Sequence, residues 1–283
     1  MSVNKTVIGI STGLVILTAV VYFIFKKKQD EFASKFTKDI SIEETWNLPG
    51  VLREVSGIAY LENNRVACVQ DENGVMFIYN LETSEIEEQI EFAGEGDYEG
   101  IAVEGFNAYI LKSDGTIYRI ADFANNPEIS EHPTALTRGQ DVEGLCYDPK
   151  NKRLLLAIKE MEPDSEDFKG IYAMDTETMQ MNSTPVFKLL FDDPIFEQTD
   201  VKNKYDRFMP SEINIDPETG NIYMLEGRVP KLLILDPEGN PEKLYFLNVS
   251  NFEQPEGLTF DPSGNVYISN EGNPGNIHLI SIN

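Results

Sequence analysis

The sequence predicts an all-β fold: a five-bladed β-propeller preceded by one N-terminal transmembrane helix. Three features predict it. A short motif recurs five times, each copy is followed by short strand-like runs parted by turn residues, and the chain starts with an uncharged apolar stretch. The length of 283 residues suits one large all-β domain. The expected divisions are a membrane anchor over 1–28, a charged tether over 29–39 and the propeller over 40–283.

Val7 to Phe25 is a run of 19 residues without charge, with Lys5 before it and Lys26, Lys27 and Lys28 after it. At about 1.5 Å per residue it nearly matches the ~30 Å hydrocarbon core of a bilayer. A cleaved signal peptide would have a shorter apolar region and a small-x-small site, whereas this run ends Val21-Tyr22-Phe23-Ile24-Phe25 and meets lysines. An uncleaved single-pass anchor is the better reading, and the membrane is the first expected partner. Taken alone, the lysine balance leans slightly toward a cytoplasmic propeller.

The repeats begin at Val55-Ser56-Gly57-Ile58-Ala59 and return at Tyr98-Glu99-Gly100-Ile101-Ala102, Val142-Glu143-Gly144-Leu145-Cys146, Pro210-Ser211-Glu212-Ile213-Asn214 and Pro255-Glu256-Gly257-Leu258-Thr259. Counted on Ser56, Glu99, Glu143, Ser211 and Glu256, the steps are 43, 44, 68 and 45 residues. A period in the forties with strand-rich units is a propeller signature. The first repeat divides into runs near 57–60, 66–69, 76–80 and 86–92. The second has a weaker fourth run, expected near 134–138. Proline and glycine turns such as Asp148-Pro149-Lys150-Asn151, Asp216-Pro217-Glu218-Thr219-Gly220 and Asp261-Pro262-Ser263-Gly264 link first strands to second ones. The fifth repeat lacks a strand, and the β-rich segment 40–48, with the only tryptophan, Trp46, has no repeat of its own. It is expected to supply the missing outer strand and close the ring.

The formal net charge is -25. Residues 1–28 hold four lysines and no acid, which leaves 19 basic and 48 acidic side chains in 29–283. Such a domain repels nucleic acid and anionic headgroups, and favours cations. Cys68 and Cys146 lie in apolar runs of different repeats and read as two buried thiols rather than a disulfide.

Propeller topology brings the head of each first strand and the end of each second strand to one rim. Glu99, Glu143 and Glu256, with Ser56, Ser211 and Glu212, are therefore the candidate metal ligands at the channel mouth. Glu72, Asp114, Glu160, Glu226 and Glu271 are possible rim ligands. Converging carboxylates require a counter-cation or raised pKa values. Hard oxygen donors in a ring suit calcium. The alternative is that the glutamates bond backbone N–H groups of neighbouring blades and hold the ring closed. Two long insertions, 159–170 and 192–210, fall on the same rim.

The five motifs in this order after an N-terminal anchor resemble the SdiA-regulated family, the YjiK-like proteins of bacterial envelopes. The resemblance implies a five-bladed propeller tethered to the inner membrane, usually on the periplasmic side, with metal-binding sites. It implies no known reaction, and it outweighs the lysine balance in placing the propeller in the periplasm.

The expected function is a membrane-tethered binding module whose acidic mouth holds a divalent cation, with calcium as the cofactor. Its partner is an unknown small molecule or an envelope protein. A calcium-dependent lactonase- or esterase-like hydrolase and a passive envelope scaffold are the alternatives. Against an enzyme, His132 and His278 are the only histidines and neither is placed at the rim, no Gly-x-Ser-x-Gly elbow occurs, and no Cys/His zinc spacing exists.

Overall fold

The computed structural model describes Tyr22, Lys26, Lys27 and residues 39–199 and 201–283. Apart from Tyr22, Lys26 and Lys27, the expected anchor over 1–28 lies outside the described residues, as does the tether apart from Asp39. Among the described residues no helix is long and apolar enough to cross a membrane.

Among the described residues, twenty strands form five four-stranded antiparallel sheets. Blade 1 is β2 (Val55–Leu61), β3 (Arg65–Gln70), β4 (Asn73–Asn80) and β5 (Glu85–Glu95). Blade 2 is β6 (Tyr98–Glu104), β7 (Asn107–Lys112), β8 (Ile117–Ala121) and β9 (Glu128–His132). Blade 3 is β10 (Val142–Asp148), β11 (Arg153–Ile158), β12 (Phe168–Asp175) and β13 (Phe187–Leu190). Blade 4 is β14 (Glu212–Ile215), β15 (Ile222–Glu226), β16 (Lys231–Leu235) and β17 (Pro241–Phe246). Blade 5 is β18 (Pro255–Phe260), β19 (Val266–Asn270) and β20 (Asn276–Ile282), completed by β1 (Ile40–Asn47).

The closing strand is where the sequence places it. β1 pairs with β20 from Ile40–Ile282 to Asn47–Asn276, with one register shift between Ile42 and Glu44. Trp46 packs its ring 6.0 Å from Tyr267 of β19. The outer strand of blade 2 differs from expectation. It runs over Glu128–His132, earlier than 134–138, and is almost wholly exposed. An outermost strand covered on neither face has no apolar alternation to betray it. The residues after it serve another purpose: Leu136 is buried and Thr134 donates its hydroxyl to the Gly115 carbonyl at 2.8 Å.

The core is divided among the blades. One apolar cluster fills each of the five gaps between neighbouring sheets; Ile78 and Ile110, for example, share the gap between blades 1 and 2. Inner strands are therefore covered on both faces, which is why β2 and β10 are buried at nearly every position. Cys68 and Cys146 are buried and unpaired, as expected.

Near the axis the inner strands approach so closely that four of the five carry glycine. A Cβ on Gly57 would come within 2.9 Å of the Gly100 Cα, and one on Gly144 within 3.0 Å of the Ile213 nitrogen. On Gly100 it would lie 2.9 Å from the Leu145 Cβ and 3.0 Å from the Glu143 carbonyl. We expect Gly100→Ala to destabilise the fold by roughly 1–3 kcal/mol through overpacking. Gly50→Ala, whose Cβ would meet nothing within 4 Å, should stay within about 0.5 kcal/mol of the parent. Denaturant unfolding of both variants checks the contrast.

Candidate functional site: the acidic channel mouth

The motif residue of each repeat stands on a β-bulge. Register shifts fall between Val55 and Gly57, Tyr98 and Gly100, Val142 and Gly144, and Pro255 and Leu258. In blade 4, Ser211 donates its N–H to the Leu225 carbonyl while Glu212 also pairs with Leu225. The extra residue re-aims its side chain out of the regular pleat. This is how a short motif delivers one polar side chain per blade to the head of the channel.

Those side chains divide into two tasks. The serines lock blades together: Ser56 Oγ donates to the Tyr98 carbonyl at 2.6 Å, and Ser211 Oγ to the Pro255 carbonyl at 3.0 Å. Glu212 occupies the place that glycine holds in the other four blades. Its Oε1 accepts from the Leu145 N–H at 2.7 Å and the Ile213 N–H at 2.9 Å, so it joins blade 3 to blade 4. Its Oε2 is buried with no partner. Glu212 is 0% exposed and Glu143 5%, while Glu99 and Glu256 keep more surface open to the channel.

Burial pushes Glu99 up to about 10, with Glu143, Asp97 and Glu256 adding to the rise. Burial raises Glu143 to about 8 even though the Lys159 ammonium pulls it down. Glu256 rises to about 7 for the same first reason, against Lys159, Gln254 and Ser211. Glu212 is pushed well above the carboxylate range by burial, despite its two backbone donors. Among the described residues, Lys159 brings an ammonium into this group: its Nζ contacts Glu143 Oε1. Burial alone would lower Lys159, but Glu143, Glu256 and Asp141 outweigh it and hold its proton firmly.

Of the rim residues, Glu271 joins the cluster, raised to about 7 by burial and by Glu256, Asp71 and Glu54. Asp114 pairs with Lys112 at 3.0 Å. Glu72 and Glu160 are exposed. Glu226 lies 1% exposed, its Oε2 2.7 Å from the fully buried Lys231 ammonium. Burial drives that pair toward neutrality from both sides, Glu226 up and Lys231 down. Lys169 is also buried, donates to the Lys159 carbonyl, and is lowered to about 8 by burial. The histidines sit elsewhere. His132 is on β9, and His278 on β20 lies 2.9 Å from Thr45 Oγ1 and packs edge-on to Phe252.

Sequence reasoning missed Asp97 and Asp141, which border Glu99 and Glu143, and it missed Lys159 as their cation. A signal existed: each aspartate stands two positions before its glutamate, just ahead of the inner strand, a spacing that two of the five repeats share. Among the described residues no group of three or more His, Cys, Asp and Glu is set to hold a metal ion. The donors at the mouth are of one hard-oxygen type, and they are not drawn into a closed cage.

A carboxyl whose pKa is higher in the folded chain than in the unfolded one stabilises the fold while protonated. That contribution is complete below about 4.5 and lost as pH climbs past about 7 for Glu256, 8 for Glu143 and 10 for Glu99. Metal-free protein should therefore lose stability steadily from pH 6 to pH 9, by up to about 1.4 kcal/mol per pH unit for each proton released. Denaturant midpoints across that range should fall in the parent and flatten in Glu99→Gln with Glu143→Gln.

Comparison with solved structures gives the same architecture. Myxococcus xanthus glutaminyl cyclase superposes with a TM-score of 0.60 at 12% identity, over 86% of this chain and 96% of that one. Virginiamycin B lyase from Staphylococcus aureus superposes with a TM-score of 0.53 at 12% identity, over 86% and 100%. A streptogramin B lyase gives 0.51 at 12% identity, over 86% and 98%. At these identities the likeness is one of fold. No curated protein matches the sequence. Residues 33–275, nearly all of the propeller, match the SdiA-regulated family, and the chain belongs to that family.

Proposed function

We propose that this protein is a membrane-tethered binding module whose acidic channel mouth takes a divalent cation, calcium by its donor chemistry, and presents a rim that binds a small molecule or an envelope protein. One observation carries the reading: the unpartnered Oε2 of the fully buried Glu212, in the field of Glu143 and Glu256. A buried carboxylate oxygen without a donor is costly unless a proton or a cation meets it. Lys159 supplies one positive charge to a group that includes Glu99, Glu143, Glu212 and Glu256, so full ionisation leaves an excess of negative charge. Oxygen-only donors select a hard cation. Binding one would release protons, because these carboxyls hold them near neutral pH.

The tether rests on the uncharged 19-residue run over 7–25, and the family resemblance favours a propeller on the periplasmic side of the inner membrane. Protease added to spheroplasts should then cut the propeller's loops, whereas protease added to inverted vesicles should not.

Thermal unfolding of the full chain, stripped of metal, tests the cation site. Calcium should raise the midpoint saturably, and a hundredfold excess over its dissociation constant adds about 2.7 kcal/mol. The rise should vanish in Glu99→Gln with Glu143→Gln. No shift with calcium or magnesium would sink the cation reading and leave the glutamates as ties between blades.

A further inference from the structure

The motif that heads each inner strand also builds a second ring. Four positions past Ser56, Glu99, Glu143, Ser211 and Glu256 stand Tyr60, Val103, Tyr147, Ile215 and Phe260. All five line a cavity of about 480 Å³ where the inner strands end, at the mouth opposite the acids. One position earlier the cavity is lined by Ala59, Ala102, Cys146, Asn214 and Thr259, side chains small enough to leave the axis open. Small-molecule sites commonly enclose roughly 300–1,000 Å³ with mostly apolar walls.

The buried charges at this mouth are hydrogen-bonded, while Lys150 and Glu218, the other charged residues that line it, are exposed on the turns at its rim. Asp148 accepts from Arg153 Nε at 2.8 Å and from Asn151 Nδ2 at 2.7 Å, and the Arg153 guanidinium lies 5.7 Å from the centre of the Phe187 ring. Asp216 accepts from the Glu218 N–H at 2.8 Å and the Thr219 hydroxyl at 2.7 Å. Within the ring of small side chains, Asn214 donates to the Leu258 carbonyl and accepts from the Ile215 N–H, and Thr259 accepts from the Tyr60 N–H. Below the rim the two rings carry no charged side chain, so a charged group seated among them would lose its hydration without a counter-ion beside it. A neutral one meets apolar side chains and the inner edges of five strands, which have no further strand to pair with and offer backbone N–H and C=O groups.

We propose that this cavity binds a neutral small molecule with a ring-sized apolar body and an amide-like donor and acceptor. It goes beyond the cation site, which lies at the other mouth and shares none of these residues.

The test uses the full chain in lipid nanodiscs with 4-fluoroacetanilide as probe, read by fluorine NMR against empty discs. Saturable line broadening beyond the empty-disc signal is expected. Val103 and Ile215 are half-buried, so a larger ring at either position extends into the cavity. Val103→Trp and Ile215→Trp should each weaken binding at least about tenfold, as should replacing the probe by 4-fluorobenzoate or 4-fluorobenzylammonium. Val103→Phe gives the same readout with a smaller insertion if a tryptophan variant loses its cooperative unfolding. Absence of saturable broadening, or parent-like binding in folded cavity-filling variants, overturns the site. Equal binding of a charged analogue overturns its assignment to neutral ligands.

Discussion

Five inner strands must meet around one axis without a sixth strand to hydrogen-bond to. That constraint governs the rest of the molecule. The strands approach until Gly57, Gly100, Gly144 and Gly257 leave no room for a Cβ. Their free edges are then tied by side chains reaching across blades: Ser56 to Tyr98, Ser211 to Pro255, Glu212 to Leu145, Asn214 to Leu258 and Thr259 to Tyr60. Apolar packing fills the wide outer parts of each gap between blades. Polar ties close the narrow inner part beside the glycines.

The acidic mouth follows from the same geometry. Each bulge that lets a strand bend toward the axis also aims one extra side chain at it, and three of the five blades use that place for glutamate. A ring of serines would have served the ties alone. Carboxyls crowded enough to keep their protons near neutral pH weaken the metal-free fold, and natural chains break local rules of this kind mostly where a site is being made. Lys159 tempers the cluster without neutralising it, and it comes from the head of the long insertion in blade 3. The charge state of the mouth is thus bound to a loop that faces solvent.

Most of the fold was legible because the repeat period and the turn residues are backbone requirements, readable one copy against the next. The missing strand of blade 5 and the spare segment before blade 1 predicted their own pairing. β9 was not legible, since an exposed outer strand such as Glu128–His132 has no buried face to impose alternation. At the site, the repeated motif gave the glutamates. It could not tell Glu226, which is matched to Lys231, from Glu271, which belongs to the cluster. That distinction depends on which blade leans on which, and on the position of lysines that follow no repeat. The apolar ring four residues downstream was present in the same motif, hidden because tyrosine, valine, isoleucine and phenylalanine at a strand's end read as ordinary core.

The closing strand has a mechanical consequence. β1 is both the last strand of the ring and the first described strand after the N-terminal segment, and its ladder with β20 begins at Ile40–Ile282. Any pull transmitted along that segment loads this ladder before any other, and loads it from its end, so pairs give way in sequence toward Trp46. The ring's seam is therefore also its strain gauge, with the tryptophan as the far stop: traction on the N-terminus is felt first by blade 5, whose inner strand carries Glu256 at one mouth and Phe260 at the other.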